Sequence, residues 1–178
     1  MNVTVFGSSQ PLEGSPAYND AYKIGQMLAE AGHCVLTGGY KGTMQAVSRG
    51  ASEAGGHVIG VTTLEIERWR GVTANAWVKE ERKFETLHQR LHALIDGCDA
   101  AIALPGGPGT LTEIALMWNL MIVDAIHRRP LILVGIGWQS ILDQAYEKMS
   151  DNFLENQRAL LQFSPDITSA VQLINHYS

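Results

Sequence analysis

Short apolar segments alternate with longer segments of helical periodicity, and this alternation limits the possible folds more than any other feature of the chain. The predicted strands are residues 3–6, 34–36, 57–61, 100–104 and 131–134. The predicted helices are residues 17–31, 43–54, 82–95, 109–123, 138–149 and a last one from the cap Asp166 to His176. Strands that are each followed by a helix form a mostly parallel sheet with helices on both faces. We therefore expect a doubly wound α/β fold.

The length and composition favour one folding unit. The chain has 178 residues, of which 46% are hydrophobic, enough to enclose a full core. No internal repeat or linker divides it, so residues 1–178 are expected to form a single domain. The least regular segment, residues 62–79, predicts a loop with a short strand near Trp77. Trp69, Arg70 and Trp77 lie in this segment, where packing within the loop is favoured over a lid or a base-stacking surface.

Charge and hydropathy exclude two classes of partner. The formal net charge is −5, so the chain has no general basic face and nucleic acid is not an expected partner. No apolar run approaches the roughly 20 residues that a membrane helix needs. The first strand also begins without the basic and cleavage segments of a leader. These features predict a cytoplasmic protein that has no membrane partner.

The cysteines and histidines do not indicate a metal centre. Cys34 and Cys98 lie in or beside predicted strands, which favours two small core residues over a disulfide or a metal pair. His33, His57 and His127 are scattered, without neighbours at ligand spacing. Neither a metal nor another cofactor is expected.

The strand at residues 100–104 ends in a glycine-rich turn that opens the next helix, and the turn reads Pro105-Gly106-Gly107-Pro108-Gly109-Thr110. Small residues let the backbone approach a ligand closely, and the first amide groups and the dipole of the helix favour a phosphate there. Thr110 serves either as a helix cap or as a hydroxyl donor to a ligand. Glu113 follows one turn later. The combination indicates chemistry on a phosphorylated small molecule.

Two further turns occupy equivalent places after predicted strands. One follows residues 34–36 and contains Gly38, Gly39, Gly42 and Thr43; the other follows residues 3–6 and is Gly7-Ser8-Ser9. Ligands of parallel sheets bind beyond the carboxyl ends of the strands, so the three turns are predicted to line one phosphate-binding pocket. Helix capping and ligand contact are equally open roles for Thr43. Neither the dinucleotide fingerprint nor the P-loop is matched, which disfavours a nicotinamide dehydrogenase or an ATPase.

Together the three turns resemble the LONELY GUY (LOG) phosphoribohydrolases, which are often mislabelled as lysine decarboxylases. The resemblance spans about residues 3–135, and its most specific element is P-G-G-x-G-T-x-x-E, which runs from Pro105 to Glu113. It implies a Rossmann-like fold and a homodimer or larger homo-oligomer. It also implies hydrolysis of the N-glycosidic bond of nucleoside 5′-monophosphates, best known for cytokinin ribotides, with release of free base and ribose 5-phosphate.

The family has a basic helical motif upstream of the glycine turn, and two segments compete for it. Arg82-Lys83 matches the basic pair but lies several residues too far from Pro105. The segment at residues 87–94 has the usual spacing and keeps the histidine and the arginine, as His88 and Arg90. The resemblance therefore assigns the family arginine to Arg90.

The resemblance implies catalytic roles for Glu113 and Arg90. Cleavage of a ribosyl bond develops positive charge on the sugar. A carboxylate near the anomeric carbon stabilises that charge and activates water, which is the role assigned to Glu113. Arg90 would stabilise charge or orient the substrate and the carboxylate.

Four positions depart from the family pattern. Tyr40 replaces a glycine, Gln45 replaces a second glycine, Leu91 replaces the lysine beside the arginine, and Thr112 replaces the first of two glutamates. Loss of a cation and an acid leaves a second class of function open, because a fold does not determine an activity. This alternative is a carrier that binds a nucleotide or a phosphorylated cofactor, such as molybdenum cofactor, without turnover.

The helix after the glycine turn carries an apolar band, which consists of Met117, Trp118, Leu120 and Met121. Such a band belongs to the core or to a contact between protomers. In a family that forms dimers, an interface is favoured for part of it.

Overall fold

Strands and helices alternate through residues 1–177, the part of the chain that the computed structural model describes. Within this range the strands are β1 (Asn2–Phe6), β2 (Cys34–Thr37), β3 (Val58–Thr63), β4 (Glu80–Phe84), β5 (Ala100–Ala103), β6 (Leu131–Val134) and β7 (Gln162–Ser164). The helices are α1 (Pro16–Glu30), α2 (Thr43–Glu53), α3 (Leu64–Arg70), α4 (Leu87–Asp96), α5 (Pro108–Ile122), α6 (Ile136–Lys148), α7 (Glu155–Arg158) and α8 (Ile167–Asn175). A short 3₁₀ helix lies at Ser150–Asn152.

The strands pair in parallel in one sheet, in the order β4-β3-β2-β1-β5-β6-β7. The chain builds outward from β1 to β4 on one side and from β5 to β7 on the other, so its winding reverses between β1 and β5. The predicted doubly wound, Rossmann-like α/β fold is therefore confirmed. Phe6 lies opposite Ala103 in this pair, so the turns after β1 and β5 leave the sheet side by side. A ligand crevice is expected at this point of reversal.

Hydrophobic cores cover both faces of the sheet. On one face, Ile24 of α1 and Val47 of α2 pack with strand residues and with α8. On the other, Leu94 of α4 and Met117 of α5 pack with α6. Cys98 is a free thiol in the second core, and the free thiol of Cys34 packs against the edge of that core, in agreement with the structural interpretation of both. In residues 1–177, no helix is long and apolar enough to cross a bilayer.

One predicted helix was too long. Residues 82–95 were predicted as a single helix, but the structure has strand β4 at Glu80–Phe84 and begins helix α4 only at Leu87. Strand β4 lies at the edge of the sheet, where charged side chains are exposed and no apolar alternation is needed. The Thr86 hydroxyl accepts a hydrogen bond from the Gln89 amide, and the Gln89 side chain accepts one from the Thr86 amide, which fixes the true start of α4.

The loop predicted at residues 62–79 was also wrong in part. Strand β3 continues to Thr63, helix α3 follows at Leu64–Arg70, and the next strand begins at Glu80 instead of near Trp77. The Thr63 hydroxyl accepts a hydrogen bond from the Glu65 amide, and Gly71 ends the helix in the left-handed conformation. These caps allow a helix with no buried residues to form beside the sheet.

The apolar band on α5 is mostly internal. Met117, Trp118 and Met121 are buried within the chain, so an interface at these three positions is excluded. Leu120 is only partly buried and packs at the edge of the second core.

Candidate functional site

A cavity of about 550 Å³ lies at the point where the winding of the sheet reverses. Its walls are the turns after β1 and β5, the inner faces of α3 and α4, the first turns of α5, and two residues from the turn after β2 and the start of α2. The lining residues are Gly7, Ser8, Ser9, Gln10, Tyr40, Met44, Glu65, Ile66, Trp69, Arg70, Leu87, Arg90, Leu91, Gly107, Pro108, Gly109, Thr110, Thr112 and Glu113. The volume is in the range of cavities that hold small ligands.

The turn after β5 presents the start of α5 to the cavity. Gly107 is the cap residue, it provides no side-chain hydrogen bond, and the amides of Gly109 and Thr110 have no intrahelical acceptor. The Thr110 hydroxyl is buried and, among the described residues, has no hydrogen-bond partner. Gly106 makes room for this hydroxyl, since a Cβ there would lie 2.1 Å from Thr110 Oγ1. This end of the cavity therefore offers several unused donors to an anion.

Glu113 and Arg90 meet in the wall of the cavity. Glu113 lies one turn into α5 and Arg90 one turn into α4, and Arg90 Nη1 is 4.0 Å from Glu113 Oε1. Both side chains are buried. Arg90 is fixed by backbone carbonyls: Nε donates to Val61 at 2.8 Å and Nη2 donates to Gly38 at 3.2 Å. The arginine therefore holds a constant position beside the carboxylate.

Burial dominates the electrostatics of this pair. It raises the pKa of Glu113 from 4.5 to about 7, although the positive charge of Arg90 opposes the rise. Burial also lowers the pKa of Arg90, and the charge of Glu113 opposes that effect. A carboxyl with a pKa near 7 exists in both protonation states at neutral pH. Such a group is suited to proton transfer.

The turn after β2 supports the site from behind. Gly38, Gly39, Gly42 and Thr43 were predicted to bind a ligand, but they lie outside the cavity lining. The Thr43 amide and hydroxyl both donate to the Ser8 carbonyl, at 2.9 Å and 3.1 Å, so the turn after β1 occupies the start of α2. Since Gly42 is the cap residue of α2, the Thr43 hydroxyl is not a helix cap.

The turn after β1 faces the cavity as predicted, through Gly7, Ser8 and Ser9. A Cβ on Gly7 would lie 2.3 Å from Thr43 Oγ1, so a glycine is required where the first two turns touch. At the turn after β5, Gly107, Gly109 and Thr110 line the cavity, whereas Pro105 and Gly106 are exposed outside the lining.

Several lining residues were not predicted as site residues. Tyr40, Met44, Ile66, Leu87 and Leu91 give one wall an apolar or aromatic character. The hydroxyl of Tyr40 accepts from the Thr63 amide and donates to the Thr63 carbonyl, which fixes its ring beside Arg90. No single motif in the sequence brings these residues together, because they come from three separate segments that meet only in the fold.

Helix α3 brings Trp69 and Arg70 to the cavity, although loop packing was the favoured interpretation for them. Trp69 is 75% exposed, and the Arg70 guanidinium lies 4.7 Å from its ring centroid. Trp77, the third residue of that group, lies beside Arg49 and does not line the cavity.

The competing basic pair lies elsewhere. Arg82 forms an ion pair with Glu80. Lys83 forms ion pairs with Glu67 and Glu81, and these residues lie on or beside the exposed edge strand β4. Only Arg90 of the competing basic residues enters the cavity. Within residues 1–177, no group of three or more His, Cys, Asp or Glu side chains is arranged to hold a metal ion.

The fold and the cavity define a Rossmann-like protein with a crevice at the point where the sheet winding reverses and a buried acid–arginine pair in its wall. The chain belongs to the SLOG cluster4 family, whose model matches residues 1–163. The resemblance to the LOG proteins is thereby confirmed.

Two plant relatives illustrate the sequence similarity. One is a rice protein (Oryza sativa subsp. japonica) described as a probable cytokinin riboside 5′-monophosphate phosphoribohydrolase. It is 34% identical over an alignment of 185 residues, gaps included, that covers 98% of this chain and 78% of the relative. The other is an Arabidopsis thaliana cytokinin riboside 5′-monophosphate phosphoribohydrolase. It is 33% identical over an alignment of 186 residues, gaps included, that covers 99% of this chain and 82% of the relative.

Solved structures share the fold. The molybdenum cofactor binding protein of Rippkaea orientalis matches with a TM-score of 0.74 and 24% identity, over 99% of this chain and 96% of that protein. The molybdenum cofactor carrier protein of Chlamydomonas reinhardtii matches with a TM-score of 0.72 and 22% identity, over 98% and 96%. At this level of identity the similarity concerns the fold and does not transfer a ligand.

Proposed function

We propose that this protein is a nucleoside 5′-monophosphate phosphoribohydrolase, which releases free base and ribose 5-phosphate. The buried Glu113–Arg90 pair in the wall of the cavity carries this proposal. A buried carboxyl with a pKa of about 7 beside a fixed arginine is suited to the proton transfer that hydrolysis of a ribosyl bond involves. The activity described for the rice and Arabidopsis relatives supports the same reaction.

In the proposed reaction, Glu113 acts in its ionised form. The C1′–N bond breaks, its electrons leave with the base, and positive charge develops on the ribose. The Glu113 carboxylate stabilises that charge and accepts a proton from the attacking water, whose oxygen bonds C1′. The base takes up a proton from the solvent as it leaves, and Glu113 then returns the proton that it accepted to the solvent. Arg90, held by the Val61 and Gly38 carbonyls, positions the carboxylate.

The start of α5 is the proposed seat of the 5′-phosphate. The amides of Gly109 and Thr110 and the unpaired Thr110 hydroxyl supply donors there. The apolar wall that includes Met44, Leu87 and Leu91 would accommodate the base. Phosphate binding at one end and base binding at the other would place the ribosyl bond between them, near Glu113.

Purified protein incubated with a panel of nucleoside 5′-monophosphates, including N6-modified adenines, tests the proposal through release of ribose 5-phosphate. We expect release from at least one member, with a rate that rises with pH through the Glu113 pKa of about 7. Glu113→Gln should lower the rate at least about a hundredfold. Glu147→Gln, at a side chain that is 69% exposed on α6, is the matched control and should keep the full rate. Absence of release from every member would refute the hydrolase.

A carrier of a nucleotide or of a phosphorylated cofactor such as molybdenum cofactor is the second candidate. The observation that favours it is Leu91, an apolar side chain in the cavity wall where the family pattern has a lysine. Thr112 is likewise an uncharged residue of the cavity lining, and its hydroxyl donates a hydrogen bond to the Pro108 carbonyl. A carrier would bind a phosphorylated ligand in the same assay without releasing ribose 5-phosphate.

We also propose that the chain assembles as a homodimer or larger homo-oligomer through the outer side of α5. Positions 111, 115, 119 and 123 form an exposed ridge made of Leu111, Ala115, Asn119 and Val123. The helix is apolar on nearly all sides, and its only ionisable residue, Glu113, is buried. A ridge without charge pairs well with an identical ridge related by a two-fold axis. The single domain and the cytoplasmic location stay predictions of the sequence.

A further inference from the structure

Two arginines line the cavity, and they differ in how many of their donors are in use. Arg90 is buried, and its Nε and Nη2 are bound to backbone carbonyls. Arg70 is exposed at the end of α3, where Nη1 donates to Ser9 Oγ at 3.2 Å. Within the described residues Arg70 forms no ion pair within 4.0 Å. Its charge and most of its donors are therefore available to a ligand.

The acids near Arg70 are engaged elsewhere. Glu65 lines the cavity, but its carboxylate accepts the Leu87 amide at 2.6 Å, at the start of α4. Glu67 pairs with Lys83 at 3.1 Å. Neither carboxylate forms an ion pair with Arg70. Glu65 keeps its negative charge in the same lining, but it is held at the start of α4, which leaves the Arg70 guanidinium open to an anionic ligand.

The two arginines also repel each other across the cavity. The charge of Arg70 helps to lower the pKa of Arg90, although burial is the larger cause. An anion bound between them would relieve this repulsion. Thr110 and the start of α5 line the same space, so the cation and the helix dipole both favour a negative group there.

The contacts that hold Arg70 suit a cation that exchanges partners. The Trp69 ring lies 4.7 Å from the guanidinium carbon, which restricts the side chain without using its donors. Ser9 is a neutral acceptor in the turn after β1. A phosphate oxygen makes a stronger, charge-assisted hydrogen bond than a serine hydroxyl.

From these contacts we infer that Arg70 is the cation that recognises the ligand phosphate, oriented by Trp69 and transferred from Ser9 to the phosphate when the ligand enters. The inference deepens the proposed function and rests on it for the identity of the ligand as a nucleoside 5′-monophosphate. Arg70 is thereby a specificity residue, which distinguishes nucleotides from nucleosides.

Calorimetric binding of adenosine 5′-monophosphate, ribose 5-phosphate and adenosine tests this role in the wild type, Arg70→Gln and Arg70→Lys. Arg70→Gln should weaken both phosphorylated probes about tenfold or more and leave adenosine unchanged. Arg70→Lys should recover part of the loss, because it restores the charge without the bidentate geometry. Arg68→Gln, an exposed position of the same helix outside the cavity lining, is the matched control and should bind all probes normally.

The outcomes separate this inference from the hydrolase proposal. Equal losses for adenosine and its monophosphate, unchanged affinity for the monophosphate, or no binding of either phosphorylated probe by the wild type would overturn the role of Arg70. Phosphate-dependent binding through Arg70 without release of ribose 5-phosphate would uphold that role and refute the hydrolase. Release of ribose 5-phosphate with an unchanged KM in Arg70→Gln would support the hydrolase and overturn the role of Arg70.

Discussion

At the scale of single residues, Glu113 is an acid in a place that disfavours its charge. Its carboxyl is buried, and its only ion-pair partner among the described residues is Arg90, at 4.0 Å. Arg90 also donates hydrogen bonds to two backbone carbonyls. Its interaction with the Glu113 carboxylate therefore compensates only partly for the removal of that carboxylate from water. The folded protein therefore binds a proton at Glu113 more tightly than the unfolded chain does.

This difference predicts how stability depends on pH. The folded pKa of about 7 lies above the unfolded value of 4.5, so the stabilising contribution is complete below pH 4.5 and is lost as the pH rises through 7. The loss amounts to about 3 kcal/mol at most. Urea unfolding at several pH values between 5 and 8 should show this decline in the wild type and not in Glu113→Gln. Glu147→Gln should follow the wild type, and parallel curves for the wild type and Glu113→Gln would contradict the prediction.

At the scale of elements, the glycines of the turn after β2 support the site from outside the cavity lining, which this turn reaches only through Tyr40. A Cβ on Gly38 would lie 1.9 Å from Arg90 Nη2 and 2.6 Å from Met44 Sδ. The Gly38 carbonyl also accepts a hydrogen bond from the same nitrogen of Arg90. The glycine therefore admits the guanidinium, and the turn holds it beside Glu113.

Substitution of this glycine should displace Arg90. We expect Gly38→Ala to lower the free energy of unfolding by about 1–3 kcal/mol, because the added methyl overlaps a packed side chain. In an Arg90→Met background the same change should cost less, which a double-mutant cycle measured by chemical denaturation would reveal. Gly137→Ala is a suitable control, since a Cβ there has no neighbour within 4 Å. An equal cost in both backgrounds would show that the overlap with Arg90 is not responsible.

Elements with strong local signals could be predicted from the sequence. The predicted strand at residues 131–134 agrees with β6, and Asp166 caps α8 as predicted, with its side chain accepting the Ser169 amide. Helix α5 begins within one residue of its predicted start, because an apolar strand, a glycine turn and a helical pattern follow one another there. Strand β4 carried no such signal, since its pairing with β3 is decided by a partner about 20 residues away.

Helix α3 has a clear local signal at its two ends. Thr63 as cap, Glu65 in the first turn, Arg68 and Arg70 in the last turn and Gly71 after it are the usual marks of a short helix. It has no buried apolar face, so hydrophobic periodicity does not indicate a helix there. The consequence for the site is large, because α3 supplies Trp69 and Arg70 to the cavity.

At the scale of the whole molecule, the site exists only through the order of the strands. Glu113, Arg90 and Ser9 belong to three segments that the reversal between β1 and β5 brings to one crevice. Local sequence could mark Glu113 and the glycine turn beside it. The apolar wall and the position of Arg70 depend on contacts between distant segments, which no local pattern contains.

The outer side of α5 carries the last prediction, which concerns assembly. An exposed apolar ridge costs free energy in water, and a second copy of the chain can cover it without any unpaired charge. We expect light scattering of the wild type to give at least twice the mass of one chain, and Ala115→Glu to give the mass of one chain. A buried glutamate at the centre of a two-fold contact would face its own copy, and the repulsion and desolvation of both charges would separate the protomers. Gln144→Glu, which adds the same charge to the exposed side of α6, should leave the mass unchanged. A monomeric wild type would refute the assembly, and equal effects of the two variants would place the contact away from the ridge on α5.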